Sequence, residues 1–149
     1  MTTRIMCVDD HAFLVEGLRA RIDRETDLEF AGHVTSTRAL LERVADDAPD
    51  IVVLDIEIPG SDAFDALAEM KRLYPDVRVV LLSAYVRDRY IDAAYAGGAW
   101  GYLSKADPPS SVIEGLRSVS RGVPAFSPAV VDRTRRSQDA PKRDDAPAS

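Results

Sequence analysis

A chain of 149 residues, 46% hydrophobic and 30% charged, has the size and balance of one globular domain with a single core, with no room for a second full domain. Its formal charge of −6 and pI near 4.9 set it against phosphate backbones and anionic membranes, so this segment is not expected to bind nucleic acid or membrane directly. The one cysteine, Cys7, can form neither an internal disulfide nor a multi-thiolate metal site, and no apolar stretch reaches signal-peptide or bilayer length, so a reducing cytoplasm is expected.

Apolar runs of strand length alternate with amphipathic stretches of helix length, the pattern of a doubly wound parallel α/β sheet covered on both faces. Five strand–helix units are legible. The first strand is Arg4 to Asp9, followed by a helix over about His11 to Glu25 whose Leu14, Leu18 and Ile22 share one face. A weaker strand spans Leu28 to Val34. Thr37 to Ala48 is a second helix with Leu40, Leu41 and Val44 inward, stopping before Pro49 because the residue ahead of a proline disfavours helix. Ile51 to Asp55 is the central strand, since Ile51, Val52, Val53 and Leu54 are apolar without alternation. A third helix covers about Asp62 to Leu73, and Val77 to Ser83 is a fourth strand. The alanine-rich fourth helix, about Asp88 to Gly97, offers Tyr90, Ile91 and Tyr95 as its large apolar groups and is expected to be of low stability. Trp100 to Ser104 is the last strand. Asp107 and Pro108 would cap and open a helix carrying Val112, Leu116 and Val119, which Gly122 ends. The domain is drawn over residues 1–131, and from Asp132 a polar, proline-containing composition predicts a disordered tail over 132–149.

Open parallel sheets present functional groups at the carboxyl ends of their strands. Asp9 and Asp10 fall at the end of strand one, Asp55 at strand three, Ser83 at strand four and Lys105 just past strand five. Three carboxylates on one rim repel one another, and a hard cation such as Mg²⁺ relieves that repulsion. A carboxylate beside such a cation can attack a phosphoryl group while an ammonium and a hydroxyl neutralise its other oxygens, giving an aspartyl phosphate. Taken singly each residue has a plainer reading: a helix cap for Asp9 and Asp10, a loop carboxylate for Asp55, a rim-exposed lysine of little structural weight for Lys105. His11 and His33 show no metal-ligand spacing, and His11 reads as lining the rim. Together the five strand-end residues carry the chemical reading.

The stretches Val8-Asp9-Asp10-His11, Val53 to Gly60, Leu82-Ser83-Ala84 and Gly101 to Lys105 resemble the response-regulator receiver family of bacterial two-component signalling, over roughly Arg4 to Val131. The resemblance implies a flavodoxin-like fold of five parallel strands in the order 2-1-3-4-5. It implies that Asp55 accepts a phosphoryl group from a histidine kinase or phosphotransfer protein. Asp10, Asp55 and the backbone carbonyl of Glu57 would bind Mg²⁺, with Asp9 holding it through water, and Lys105 and Ser83 would clamp the phosphoryl group. Ser83 and Tyr102 would form the switch that reshapes the fourth helix, fifth strand and fifth helix, while Glu57 and Tyr85 stand where relatives tune the phosphate's lifetime. Such a domain signals rather than turns over substrate. The departures are Ala106, where the family commonly has proline, and Ala63, where many relatives have glycine.

The segment Gly122 to Pro128 resembles the receiver ending of the NarL/FixJ-like subgroup, which implies a homodimer through the first and fifth helices and a LuxR-type helix-turn-helix beyond the linker. DNA binding would then belong to a part absent from this chain; a stand-alone receiver would instead act by protein contact. A phosphohydrolase resembling the haloacid dehalogenase superfamily is the enzymatic rival, suggested by Asp55-Ile56-Glu57. Its nucleophile strand comes first and its acidic pair last, the reverse of the order here. A flavodoxin-like cofactor binder would need a glycine-rich first loop, where this chain has Asp10-His11-Ala12.

Overall fold

The computed structural model describes residues 2–139. Six strands, β1 (Thr3–Val8), β2 (Leu28–Val34), β3 (Ile51–Asp55), β4 (Arg78–Ser83), β5 (Gly101–Ser104) and β6 (Ala125–Phe126), alternate with six helices, α1 (Ala12–Asp23), α2 (Thr37–Asp47), α3 (Ala63–Leu73), α4 (Asp88–Ala96), α5 (Pro109–Ser120) and α6 (Pro128–Asp139). The sheet runs β2-β1-β3-β4-β5-β6 and every pairing is parallel. This is the expected flavodoxin-like order with one added edge strand.

Strand side chains alternate between two faces, and because both faces are covered both are apolar. Met6, Val8, Val52, Leu54, Val79 and Leu81 join α2, α3 and α4 in one core layer. Ile5, Cys7, Ile51, Val53, Val80 and Leu82 join α1 and α5 in the other. Burial drives the Cys7 thiol, with Asp9 adding to the effect, up to about 12, so it is an inert core group.

Four details depart from the sequence reading. In α1 the buried set is Val15, Leu18 and Ile22, with Leu14 half-buried beside it, because a 3.6-residue turn brings position 15 rather than 14 squarely over the sheet. Leu41 of α2 is likewise half-buried while Leu40 and Val44 go inward. Helix α5 starts one residue later than expected: Pro108 is the N-cap without a side-chain bond, and Pro109 opens the first turn, where its missing N–H costs nothing. The boundary drawn before Asp132 falls inside α6, which Val130 anchors in the core at 0% exposure. The rest of the expected tail, 140–149, lies outside the described residues.

Proline and backbone chemistry explain the ends of other elements. Helix α2 closes on Ala48 in the left-handed region (φ 46°), whose N–H bonds Val44 O, and Pro49 then forbids continuation. Asp62 caps α3 by accepting from the amides of Phe64 and Asp65, and Ser36 caps α2 by accepting from Ala39. Among the described residues no helix is long and apolar enough to cross a membrane.

Candidate phosphoacceptor site

One local device recurs at four strand ends. Asp9 accepts from the amide of His11 at 2.8 Å, Asp55 from Glu57 at 3.0 Å, Ser83 from Tyr85 at 3.0 Å and Ser104 from Ala106 at 3.1 Å. Each is a side-chain oxygen bonding the amide two residues on, which turns the chain off the sheet and leaves the polar group at the carboxyl edge. The short polar residue that ends each apolar run therefore both stops the strand and furnishes the crevice.

Asp9, Asp10, His11, Asp55 and Lys105 meet in one pocket. Asp55 is 1% exposed and Asp9 2%, whereas Asp10 and His11 lie open to solvent. One ligand atom from each of Asp9, Asp10, His11 and Asp55 lies within 4.8 Å of the others. Lys105 bridges the two buried carboxylates, its Nζ 3.0 Å from Asp9 Oδ2 and 3.0 Å from Asp55 Oδ2. At 10% side-chain exposure it is not the rim-exposed lysine the sequence suggested, because the Lys105 amide bonds Ser83 O and turns the side chain inward along the end of β4. The peptide to Ala106 is trans.

The charges are unequal in setting. Burial raises the pKa of the Asp55 carboxyl, and nearby Asp9 adds to this; the Glu57 amide and the Lys105 ammonium pull the other way without cancelling it. Burial works against the Lys105 ammonium, but its hydrogen bonds to Asp9 and Asp55 outweigh it and its pKa is raised. The chain's own counter-charge is thus one ammonium for two buried carboxylates.

Asp9 Oδ2 is buried with no well-aligned hydrogen bond, its contact being the ion pair to Lys105. An under-satisfied buried carboxylate oxygen among three acidic groups is what a hard divalent cation with oxygen preference would complete, so the donor set fits such an ion. The acidic cluster can therefore hold a metal.

On the other side, Ser83 is fully buried at the end of β4. Its hydroxyl lies 2.5 Å from Glu57 Oε2 and 2.6 Å from the Tyr85 carbonyl. The Tyr102 hydroxyl donates to that same carbonyl at 2.6 Å, with its ring in the core and burial raising its pKa. Ser83 and Tyr102 thus meet at one carbonyl, that of Tyr85.

Two features escaped the sequence reading, the roles of His33 and of the Glu57 side chain, and His11 goes further than the rim position expected of it. His11 enters the pocket, its Nδ1 3.0 Å from Asp9 Oδ1 and 3.0 Å from Lys105 Nζ, able to donate to one or accept from the other. His33 donates to the Asp9 carbonyl at 2.8 Å and so fixes the end of β1 from β2. The Glu57 carboxylate spans to β4, where it also accepts from the Ala84 amide at 2.7 Å. The i, i+2 turn habit of aspartate is the signal in the sequence that could have tied His11, already expected at the rim, to Asp9.

The profile of the response regulator receiver domain matches residues 5–117. The response regulator protein VraR of Staphylococcus aureus is 24% identical over 135 residues, 91% of this chain, and the chain spans 65% of that relative's length. A two-component response regulator of the LuxR family from Aurantimonas sp. SI85-9A1 superposes with a TM-score of 0.88 at 24% identity, covering 94% of this chain and all of that one. The signal receiver domain assigned to NarL of Mycobacterium tuberculosis gives a TM-score of 0.74 at 26% identity, over 81% of this chain and 98% of that one. Neither the phosphohydrolase nor the cofactor-binding alternative is favoured by these likenesses.

Proposed function

The chain belongs to the response regulator receiver domain family, and on that premise we propose that Asp55 is its phosphoacceptor. The observation that carries this is the setting of Asp55: a buried carboxylate at the pocket floor, its Oδ2 3.0 Å from Lys105 Nζ and its neighbours Asp9 and Asp10 on the same rim. A carboxylate oxygen of Asp55 attacks the phosphorus of a phosphohistidine on a histidine kinase or phosphotransfer protein. The new O–P bond forms as the P–N bond breaks, and the imidazole nitrogen leaves with the electron pair. Lys105 and Ser83 then donate to the phosphoryl oxygens.

Asp10, Asp55 and the Glu57 carbonyl would hold Mg²⁺, with Asp9 acting through water. The ion when bound supplies charge neutralisation for the incoming phosphoryl group. Asp9 and Asp55 are held in place for this by the amides of His11 and Glu57. Phosphorylation draws the Ser83 side chain away from both Glu57 and the Tyr85 carbonyl, the latter also accepting from Tyr102, and so shifts the population of the β4–α4 loop and the face formed by α4, β5 and α5. Glu57 and Tyr85 set the lifetime of the product.

The domain, taken to the end of α6 at Asp139, acts as a cytoplasmic signalling element with self-phosphorylation and slow self-dephosphorylation as its chemistry. Its output is a homodimer through α1 and α5, with DNA contacted by a separate LuxR-type module rather than by this segment. Incubation with a small acyl phosphate and Mg²⁺, followed by intact mass, tests the central point. One added phosphoryl group in the wild type and none in Asp55→Asn is expected; labelling retained in the variant would remove Asp55 from the role.

A further inference from the structure

Glu57 sits two residues past the buried aspartate, half-buried, with its carboxylate reaching the far wall of the pocket. Oε2 accepts from the Ser83 hydroxyl at 2.5 Å and Oε1 from the Ala84 amide at 2.7 Å. Both oxygens of one anion are thus seated by two donors at the end of β4. A phosphoryl group likewise presents several anionic oxygens on one atom, so donors that seat the carboxylate can seat a phosphate. Ser83 is also the hydroxyl assigned above to the phosphoryl group, and it has a single proton to give.

We propose that Glu57 is an internal competitor for the phosphoryl seat. In the resting protein its carboxylate takes up the Ser83 hydroxyl and the Ala84 amide, and it must swing out before a phosphoryl group on Asp55 can use them. This rests on Asp55 being the phosphoacceptor. The Glu57 backbone stays behind, tied by its amide to Asp55 Oδ1 at 3.0 Å, so the side chain alone moves. An exposed Ala84 on the far side leaves the way to solvent open. A carboxylate left in place beside the phosphoryl group would face like charge in a partly desolvated pocket, so the two occupants exclude each other.

The contact has a plainer reading, in which Glu57 merely ties the loop after β3 to the loop after β4. The two readings differ in sign. A tie, once cut, loosens the seat and weakens anion binding, whereas a competitor, once removed, strengthens it. Beryllofluoride with Mg²⁺ is a suitable probe because it mimics the phosphoryl group without being hydrolysed, so product lifetime does not enter.

The experiment is a ¹⁹F NMR titration of beryllofluoride into wild type, Glu57→Ala, Glu57→Gln and Asp55→Asn, each checked for folding by circular dichroism. Glu57→Ala is expected to bind about tenfold more tightly than wild type, a change of about 1.4 kcal/mol. Glu57→Gln, which keeps an acceptor for Ala84 and loses the charge, should fall between them, and Asp55→Asn should not bind. Unchanged or weaker binding by Glu57→Ala, with wild type binding and Asp55→Asn not, overturns the competitor and leaves the phosphoacceptor standing. Failure of folded wild type and Glu57→Ala alike to bind overturns the phosphoacceptor reading, and the competitor with it.

Discussion

Lys105 Nζ lies 3.0 Å from Asp55 Oδ2, joining the end of β5 to the end of β3 across the intervening strand β4. The same ammonium is 3.0 Å from Asp9 Oδ2, so two carboxylates of 3% and 0% side-chain exposure depend on one cation. Removing one partner of a buried pair leaves uncompensated charge, which costs much more than a surface ion pair gains.

Lys105→Ala is therefore expected to lower stability by about 3 kcal/mol in chelator-containing buffer at neutral pH. Mg²⁺ should restore part of the loss by replacing the missing charge. Urea unfolding with and without Mg²⁺ measures both, and a variant as stable as wild type in chelator would return Lys105 to the role of a rim lysine.

Asp55→Asn is expected to do the opposite. Burial, with Asp9 contributing, raises the Asp55 pKa above its usual value. The folded state then binds that proton more tightly than the unfolded chain, so this group's contribution is fully present below the ordinary carboxylate range and is lost as pH rises through the raised value. At neutral pH the ionised carboxylate is a net cost that asparagine removes. A gain of about 1 kcal/mol corresponds to about 2–4 °C in a domain of this size. The advantage should shrink on acidification as the wild-type carboxyl protonates. Metal-free thermal melts across pH decide it: a lower Tm for Asp55→Asn at neutral pH would mean that its bonds to Lys105 and Glu57 outweigh burial.

Such a site is legible in sequence because apolar runs mark their own ends. Ile51 to Leu54, buried on both faces, locates the central strand, and Asp55 follows it directly. Asp9 and Ser83 are placed by the same logic, each at the first polar position after an apolar run, and Lys105 follows Ser104 directly at the end of β5. What side chains do after leaving the strand is not written in periodicity. The inward turn of Lys105, the reach of Glu57 to β4 and the approach of His11 depend on neighbours far apart in the chain. Strand β6 was missed because two residues between Pro124 and Pro128 carry no pattern, and their pairing comes from β5. Helix α6 was not foreseen, because from Asp132 the composition turns polar, although Val130 fixes the helix in the core.

Helix α6 is also tied to the β4–α4 loop and to α4. Arg133 Nε lies 2.6 Å from Asp88 Oδ1, Arg133 donates to Val86 O at 2.7 Å, and Phe126 stacks on Tyr95 of α4 at 4.8 Å. Arg133 and Asp88 are both substantially exposed, so Arg133→Ala should cost no more than about 1 kcal/mol in global stability. Locally the effect should be larger: amides of α6 are expected to exchange faster by hydrogen–deuterium mass spectrometry. Unaltered protection over Pro128–Asp139 would show that Val130 and Phe126 hold the helix alone.

Two glycines give a paired prediction. A Cβ on Gly101 would strike the backbone carbonyl oxygen of Ala125, which cannot swing aside as a side chain could. That carbonyl belongs to β6, whose register is just Gly101 with Ala125 and Tyr102 with Phe126, supported by bonds from Ala125 N to Trp100 O and Ser127 N to Tyr102 O. Gly101→Ala should therefore displace β6 and cost about 1–3 kcal/mol, as overpacking does. Gly17 lies inside α1 with nothing near its would-be Cβ, so Gly17→Ala should instead stabilise by about 0.5–1 kcal/mol through helix propensity. Denaturant unfolding gives both signs, and hydrogen exchange at Ala125 and Ser127 reports whether β6 has left. If Gly101→Ala proves neutral with both amides still protected, the β5–β6 spacing has more give than its backbone contact implies.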